Sequence, residues 1–399
     1  MILEIAPAGA RGLFLNVDED RTIHFEKLKE RPVGEFVKAI ERKRFVPVSA
    51  LAKGARRTVI AAIDPALATT IPVPLTLVRD EGNGATKITL PELENLIAQA
   101  MAKIFNGCRG EAAKRLAQNE LDAVLVKATA DEFAVDGKSL RNPVAFAGKR
   151  ITLLLELVFV TRELFEDLKP LFNKAGKAGG EGAASTGGGT RFFFAEAPQA
   201  HLRALSRSRA LPLNIVSADH NQASLYVFAR PNEGGPAVLY REKLKWRFGA
   251  LTDALKQAFA VGDAAAEEMY CLYHTAAMSD AARRTLKKAI DPALDALLAE
   301  LERAKVTGPV YVEAPHPMPF SAPYRHGTLT FEAHPARTIL GDLGFTIPQE
   351  ADDFAAATAG ENGEIFLRSL LYFTEAYFDK SDSAINRKLR RRLHWLVPT

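Results

Sequence analysis

The feature that most constrains the fold is an order of elements that occurs twice, once on each side of a glycine-rich segment. MILEIAPAGARGLFLNV, at the start, has the pattern of a β-hairpin, and predicted strands and helices alternate after it. Beyond the glycine-rich segment, PLNIVSADHNQASLYVF again has the pattern of a hairpin, and the buried strand GPVYVEA follows after several helices. Two α/β halves that both open with a hairpin predict a duplicated architecture.

Local signals place several helices and turns. Thr89 to Glu92 form a capping box that begins a helix, and Gly107 is predicted to lie just past its end. Asp136–Gly137 predicts a turn between strands. A helix from about 281 to 305 carries apolar residues at helical spacing, so that it buries one face. These are Leu286, Ile290, Leu294, Leu297 and Leu301.

Composition excludes several classes of function. A formal net charge of +4 is small for 399 residues and does not predict a nucleic-acid partner. The chain has no nucleophile elbow and no paired Cys/His nucleophile, so we expect no catalytic residue. His316, His326 and His334 have spacings that match no ligand pattern, and we expect no metal. Without a leader or an apolar run that could cross a bilayer, a cytoplasmic location is expected.

One segment resembles a known family. In VDGKSLRNPVAFAGKRITLLLELVFVTRELFEDLKPLF, the pairs Asp136–Gly137 and Asn142–Pro143 precede the turn 148–150, Gly-Lys-Arg. This order resembles the inserted subdomain of the FtsA family of bacterial actin-like proteins; a PilM-like pilus protein, built on the same plan, is the alternative. The resemblance implies an α/β, actin-like fold: a two-lobed, ribonuclease-H-like duplication with a small inserted α+β subdomain and a C-terminal amphipathic helix.

The resemblance also implies a division into domains. We expect residues 1–73 to form the first lobe, completed by about 335–380, and residues 74–176 to form the inserted subdomain. Residues 177–190 would be a glycine-rich linker, 191–334 the second lobe and 381–399 a basic amphipathic tail.

The nucleotide-binding motifs of such a fold are degenerate here. In the family, glycines at the hairpin tips let backbone N–H groups approach the phosphates. Here Asp219 would place a carboxylate beside the phosphates, and Pro7 lacks a backbone donor. We therefore expect no bound ATP or Mg²⁺ and no hydrolysis, with a divergent but active ATPase as the alternative. The degenerate positions are Glu4, Ala6, Pro7, Ser217, Asp219, Glu313 and Pro315.

The C-terminal segment has the composition of a membrane-binding helix. Its apolar residues fall on one helical face, beside a cluster of cations and a tryptophan, as in interfacial helices that bind anionic lipid. The alternative is a last helix that docks on the protein core. The predicted membrane-binding residues are Ile385, Arg387, Lys388, Leu389, Arg390, Arg391, Arg392, Leu393, Trp395 and Leu396.

Together these features predict an FtsA-like adaptor without ATPase activity at the inner face of the membrane. It would link a cytoskeletal or division protein, such as a tubulin-like protein, or its own polymer, to an anionic membrane surface. The alternative is a PilM-like cytoplasmic component that binds a pilus membrane protein. Fold-level resemblance does not decide between these functions.

Overall fold

The computed structural model describes residues 1–41, 58–79, 86–178, 191–230, 237–275, 278–333, 336–347, 369–378, 385, 386 and 389. The chain divides into two compact units, Met1–Ser208 with Ala336–Thr399, and Arg209–Pro335. The predicted linker 177–190 lies outside the described residues, except that its first two residues end a helix.

The first unit contains a five-stranded sheet of order β3-β2-β1-β4-β9. Strands β1, β2 and β3 are antiparallel neighbours, whereas β4 and β9 run parallel to β1. Its strands are β1 (Ile2–Ala6), β2 (Gly9–Val17), β3 (Ile23–Arg31), β4 (Thr58–Ile63) and β9 (Arg191–Glu196).

Helices α1 (Val33–Glu41) and α3 (Arg162–Ala178) pack against each other on this sheet. Phe36 and Val37 of α1 share a buried cluster with Leu164 and Leu168 of α3. Outside the inserted subdomain, the other described helices of this unit are short. They are α4 (Ala197–Leu205), α8 (Ala336–Asp342), a 3₁₀ turn at Leu370–Tyr372 and α9 (Phe373–Tyr377).

An inserted subdomain lies between β4 and β9 in the chain. Its sheet has the order β5-β8-β6-β7 and is antiparallel throughout. The strands are β5 (Ala68–Val78), β6 (Ala123–Val135), β7 (Lys138–Ser139) and β8 (Arg150–Thr161), and one long helix, α2 (Leu90–Leu116), packs on them.

The long helix α2 begins at the predicted capping box. The Thr89 hydroxyl accepts from the Glu92 N–H, and the Glu92 carboxylate accepts from the Thr89 N–H. The prediction that it ends at Gly107 is wrong, because Cys108 and Leu116 continue its buried face. An interior glycine costs a helix only about 1 kcal/mol, which this burial offsets.

The second unit contains a sheet of order β12-β11-β10-β13-β15-β14. Strands β10, β11 and β12 are antiparallel neighbours, and β13 and β15 run parallel to β10. The strands are β10 (Leu213–Ala218), β11 (Ala223–Ala229), β12 (Val238–Leu244), β13 (Pro309–Glu313), β14 (Tyr324–His326) and β15 (Leu329–Phe331).

Three helices pack on the second sheet around a shared buried core. They are α5 (Gly249–Phe259), α6 (Asp263–Tyr273) and α7 (Asp280–Arg303). The predicted apolar stripe of α7 is buried as a whole, from Leu286 to Leu301.

The two sheets have the same topology, which confirms the predicted fold class. In each, the first three strands are an antiparallel meander, and the fourth and fifth strands follow on the other side of the first strand, parallel to it. This order is that of a ribonuclease-H-like sheet. Its occurrence twice in one chain makes this an actin-like fold.

The sheets begin or end at other residues than three of the predicted domain boundaries. The second lobe was predicted to begin at residue 191, but β9 pairs with β4 along its whole length, and the second unit begins at Arg209. The inserted sheet begins at Ala68 rather than at 74, because β5 carries its prolines on an edge strand where no partner needs their N–H. Its last strand ends at Thr161 rather than at 176, and α3, which follows, packs on α1 and also on β6 and β8.

Among the described residues, no helix is both long enough and apolar enough to cross a membrane.

Candidate functional site

The first predicted phosphate hairpin is a tight turn between β1 and β2. Ala6 pairs with Gly9, so that Pro7 and Ala8 form the turn. Gly9 has a φ of 145°, which favours glycine, whereas Pro7 contributes no N–H. Ala6 and Pro7 are exposed. Because proline has no backbone N–H, this turn offers a bound anion one hydrogen-bond donor fewer than an anion-binding loop does.

Glu4, the acidic residue of this hairpin, contacts residues of its own unit. The Ser369 hydroxyl donates to Glu4 Oε1 at 2.6 Å, and Arg11 Nη1 lies 3.9 Å from Glu4 Oε2. Glu4 therefore joins the first strand of the sheet to the C-terminal part of the same unit.

At the tip of the second hairpin, backbone N–H groups bind the carboxylate of Asp219, a residue of the same hairpin. The N–H groups of Asn221 and Gln222 both donate to Asp219 Oδ1, at 2.6 and 2.8 Å. The Asp219 N–H in turn donates to the Gln222 carbonyl at 2.8 Å. An anion bound by this tip would compete for the donors that the Asp219 carboxylate already occupies.

The tip of this hairpin packs closely on the start of α5. The Phe248 N–H donates to the Asp219 carbonyl at 3.0 Å, and the Gly249 N–H donates to the His220 carbonyl at 3.2 Å. A Cβ at Gly249 would lie 2.4 Å from the His220 oxygen, so only glycine fits there. The main chain at the tip is thus fixed by its neighbours.

Four of the seven degenerate positions gather at one end of the second sheet. Glu313, at the end of β13, is the parallel partner of Ser217 in β10, and Pro315 follows two residues later. Asp219 begins the turn that follows β10. The other three positions, Glu4, Ala6 and Pro7, lie in the first sheet of the other unit.

A cluster of metal-binding residue types lies at the same end of the second sheet. Donor atoms of His220, Glu267 and His316 all lie within 4.8 Å of one another. Among the three histidines weighed for metal binding, His326 lies elsewhere, with Nε2 3.9 Å from Glu302, and His334 is outside the described residues. Sequence reasoning missed His220 and Glu267, and the wide separation of the three residues left no local signal.

Two basic residues lie close to this cluster. Arg247 donates to the His220 carbonyl at 3.1 Å, but its guanidinium also pairs with Asp253. Burial lowers the pKa of the nearby His274 to about 4, so that this imidazole is neutral at physiological pH.

The residues that carry the family resemblance shape turns of the inserted subdomain. The Asp136 carboxylate accepts from the N–H groups of Lys149 and Arg150, and the bonds from Arg150 and then Lys149 lower its pKa. A Cβ at Gly148 would lie 2.2 Å from a methyl group of Val135. The Asn142 side chain accepts from the Val144 N–H at 3.1 Å. Their role here is local and structural.

The C-terminal segment, where it is described, docks on the inserted subdomain. Ile385 is 4% exposed and Leu389 is 1% exposed, and both belong to the core cluster of that subdomain. The Asn386 side chain accepts from the Ala130 N–H at 2.8 Å and donates to the Ala130 carbonyl at 3.0 Å.

This docking corrects the prediction for two membrane-binding residues. Ile385 and Leu389 are buried in protein and are not available to insert among lipids, as the docked-helix alternative expects. The other eight predicted membrane-binding residues lie outside the described residues. They are Arg387, Lys388, Arg390, Arg391, Arg392, Leu393, Trp395 and Leu396.

A buried ion-pair network, missed in the sequence, joins the inserted sheet to the C-terminal part of the first unit. Arg203 of α4 pairs with Glu156 of β8 and, at 3.3 Å, with Glu375 of α9. Gln199 extends the network by donating to Glu156 at 3.3 Å, and it accepts from the Thr70 hydroxyl at 2.6 Å. These residues join four separate chain segments, which are β5, β8, α4 and α9.

Comparisons with known proteins assign no family to the chain. No protein-family model matches the chain, and no curated protein sequence matches it. Among solved structures, the PilM–PilN type IV pilus biogenesis complex is similar over 93% of this chain and 96% of that one, with 15% identity and a TM-score of 0.48.

Two further solved structures are similar over most of their length. One is a Bacteroides thetaiotaomicron protein with an actin-like ATPase fold and unknown function, with 8% identity over 93% of this chain and 94% of that one, and a TM-score of 0.34. The other is the cytoplasmic domain of EpsL, an inner-membrane component of the Vibrio cholerae type II secretion system, with 9% identity, 86% and 93% coverage and a TM-score of 0.30. At these similarities, the fold assignment rests on the strand order of the two sheets.

Proposed function

We propose that this chain is a nucleotide-independent adaptor, which uses an actin-like fold to bind a protein partner and does not hydrolyse ATP. The observation that carries the proposal is the Asp219 carboxylate, which accepts two backbone N–H groups at the tip of its own hairpin. A phosphate at this tip would have to displace the carboxylate and remain near its negative charge. Pro7 removes a donor from the other hairpin.

As the partner we propose an inner-membrane protein of a pilus or secretion assembly, which the chain would bind from the cytoplasmic side. The support is the docked C-terminal segment. Because Ile385 and Leu389 are buried in the inserted subdomain, two apolar residues of the predicted lipid anchor cannot insert into a membrane while the segment is docked. Contact with the membrane would then run through a protein. An FtsA-like division adaptor is the second candidate, favoured by the resemblance of the segment from Asp136 to Arg150.

The nucleotide part is tested by titrating the full-length chain with ATP in the presence and absence of Mg²⁺ in a calorimeter. We expect no saturable heat and no release of phosphate above that of buffer. An Mg²⁺-dependent dissociation constant in the micromolar range or below would overturn the proposal. The variant Asp219→Gly frees the two N–H groups. Its affinity for ATP, compared with that of the wild type, measures how much this carboxylate weakens nucleotide binding.

The partner part is tested by co-purification of the tagged chain from its native cells after chemical cross-linking. Recovery of an inner-membrane protein of a pilus or secretion assembly, followed by binding of its purified cytoplasmic segment, supports the first candidate. Recovery of a tubulin-like division protein instead supports the second and contradicts the first.

A further inference from the structure

Three side chains from distant segments converge at one end of the second sheet. His220 lies in the β10–β11 turn, Glu267 on α6 and His316 in the loop after β13, all within the same compact unit. His316 Nε2 lies 3.3 Å from Glu267 Oε1, and His220 Nε2 lies 4.0 Å from the same oxygen. We propose that these three residues bind a divalent transition-metal ion of the zinc class.

The distances suit a tetrahedral site. Ligand atoms at about 2.0–2.1 Å from zinc in a tetrahedron are separated by about 3.3–3.4 Å. The His316–Glu267 pair already has this separation, and the His220–Glu267 pair needs to close by less than 1 Å, which a small rotation of exposed side chains supplies. Two imidazoles with one carboxylate select zinc and similar ions over Mg²⁺ or Ca²⁺, which prefer oxygen ligands.

The site is open on one side. The side chains of His220 and Glu267 are 45% and 50% exposed, and that of His316 is 23% exposed. Three protein ligands at a solvent-facing rim leave the fourth position of a tetrahedron to water or to a donor from another molecule. An ion can therefore enter without any opening of the core.

Neighbouring groups orient the two imidazoles. His316 Nδ1 lies 3.7 Å from Cys271 Sγ, so the opposite nitrogen, Nε2, faces Glu267. Both imidazoles contact the Phe248 ring, at centroid distances of 5.8 Å for His220 and 5.9 Å for His316. The Tyr270 hydroxyl donates to the Pro317 carbonyl at 2.7 Å and fixes the loop that carries His316. Such outer contacts hold metal ligands in position.

A hydrogen bond between one histidine and one glutamate would account for only part of this arrangement. His326 and Glu302 are a simple pair of one imidazole and one carboxylate, 3.9 Å apart. In the cluster, a second imidazole converges on the same carboxylate oxygen, so that three potential metal ligands lie close together. An ion bound by all three accounts for this convergence, which a single contact between two side chains does not.

The test uses the untagged full-length chain, stripped with a chelator and titrated with Zn²⁺ in a calorimeter and with Co²⁺ in a visible spectrophotometer. We expect one ion per chain and the strong visible bands of four-coordinate Co²⁺. His316→Ala and Glu267→Gln should abolish these bands, and Cys271→Ser should weaken affinity by about 10–100-fold, as loss of an outer contact does. His326→Ala is the matched control and should bind like the wild type.

Thermal melting of the chelated proteins checks that the variants are folded; Glu267→Gln keeps the shape of a half-exposed side chain and should melt like the wild type. Zinc should raise the melting temperature of the wild type and of His326→Ala only, because an ion stabilises a fold by binding it. The proposal is overturned if the wild type binds neither ion, or if Glu267→Gln and His316→Ala bind both ions as the wild type does.

Discussion

If the C-terminal segment docks on the inserted subdomain, substitutions in it should affect local stability rather than membrane binding. Leu389 is 1% exposed within the core of the inserted subdomain. Leu389→Ala should weaken the docking by about 2–5 kcal/mol, the usual cost of removing a fully buried leucine side chain. The loss should appear first as local undocking of this segment rather than as global unfolding.

The Ala130 amide reports this undocking directly. Its N–H donates to the Asn386 side chain, so it exchanges with solvent when that side chain leaves. Since 1.4 kcal/mol corresponds to a factor of ten, a loss of about 2 kcal/mol should speed its hydrogen exchange by about 30-fold. Asn386→Ala should have a similar effect, because each buried backbone group left without a partner costs about 1–3 kcal/mol.

The assay is residue-resolved hydrogen exchange of the full-length chain, run beside flotation with anionic vesicles. Leu121→Ala is the control, since Leu121 is 68% exposed beside the same subdomain and its removal should leave exchange at Ala130 unchanged. Unprotected exchange at Ala130 in the wild type, together with flotation that Leu389→Ala abolishes, would refute docking and restore the membrane anchor.

Two further predictions concern buried charges in the first unit. Arg203→Met should lower the free energy of unfolding by about 3–5 kcal/mol in urea titrations, because it removes the cation that pairs with the buried carboxylate of Glu156 and one of the cations near Glu375. Glu92→Gln should destabilise the protein at neutral pH, because the bond from Arg79 lowers the pKa of Glu92 below its usual value of 4.5. This carboxylate stabilises the fold above pH 4.5 and loses its contribution as the pH falls through its lowered pKa, so wild type and Glu92→Gln should converge in acid.

Exposed ion pairs provide the controls for both predictions. Arg31→Met removes a pair whose side chains are 45% and 55% exposed, and it should change stability by less than about 1 kcal/mol. Glu111→Gln, on the same helix as Glu92 and 47% exposed, should change stability at neutral pH by less than about 1 kcal/mol. Equal effects of Arg203→Met and Arg31→Met would contradict the role of burial.

The sequence by itself determined the features that depend on neighbouring residues. The capping box at Thr89, the turn at Asp136 and the apolar stripe of α7 each depend on the spacing of residues that are near neighbours in the sequence. All three are present in the structure. The hairpins at the start of each half are local as well. Because their repeated order selects a duplicated α/β architecture, the fold class was predictable.

Tertiary structure alone decided which elements meet. By its sequence, the strand Arg191–Glu196 fits the start of the second lobe as well as the end of the first. Only its pairing with β4 places it in the first sheet. The period of the C-terminal segment shows that one face is apolar, but not whether lipid or the core of the inserted subdomain covers that face. His220, Glu267 and His316 are linked by no spacing in the chain and converge only because the parallel pairing of β10 with β13 ends beside α6. Such contacts between distant segments depend on the packing of the whole unit, which no short pattern encodes.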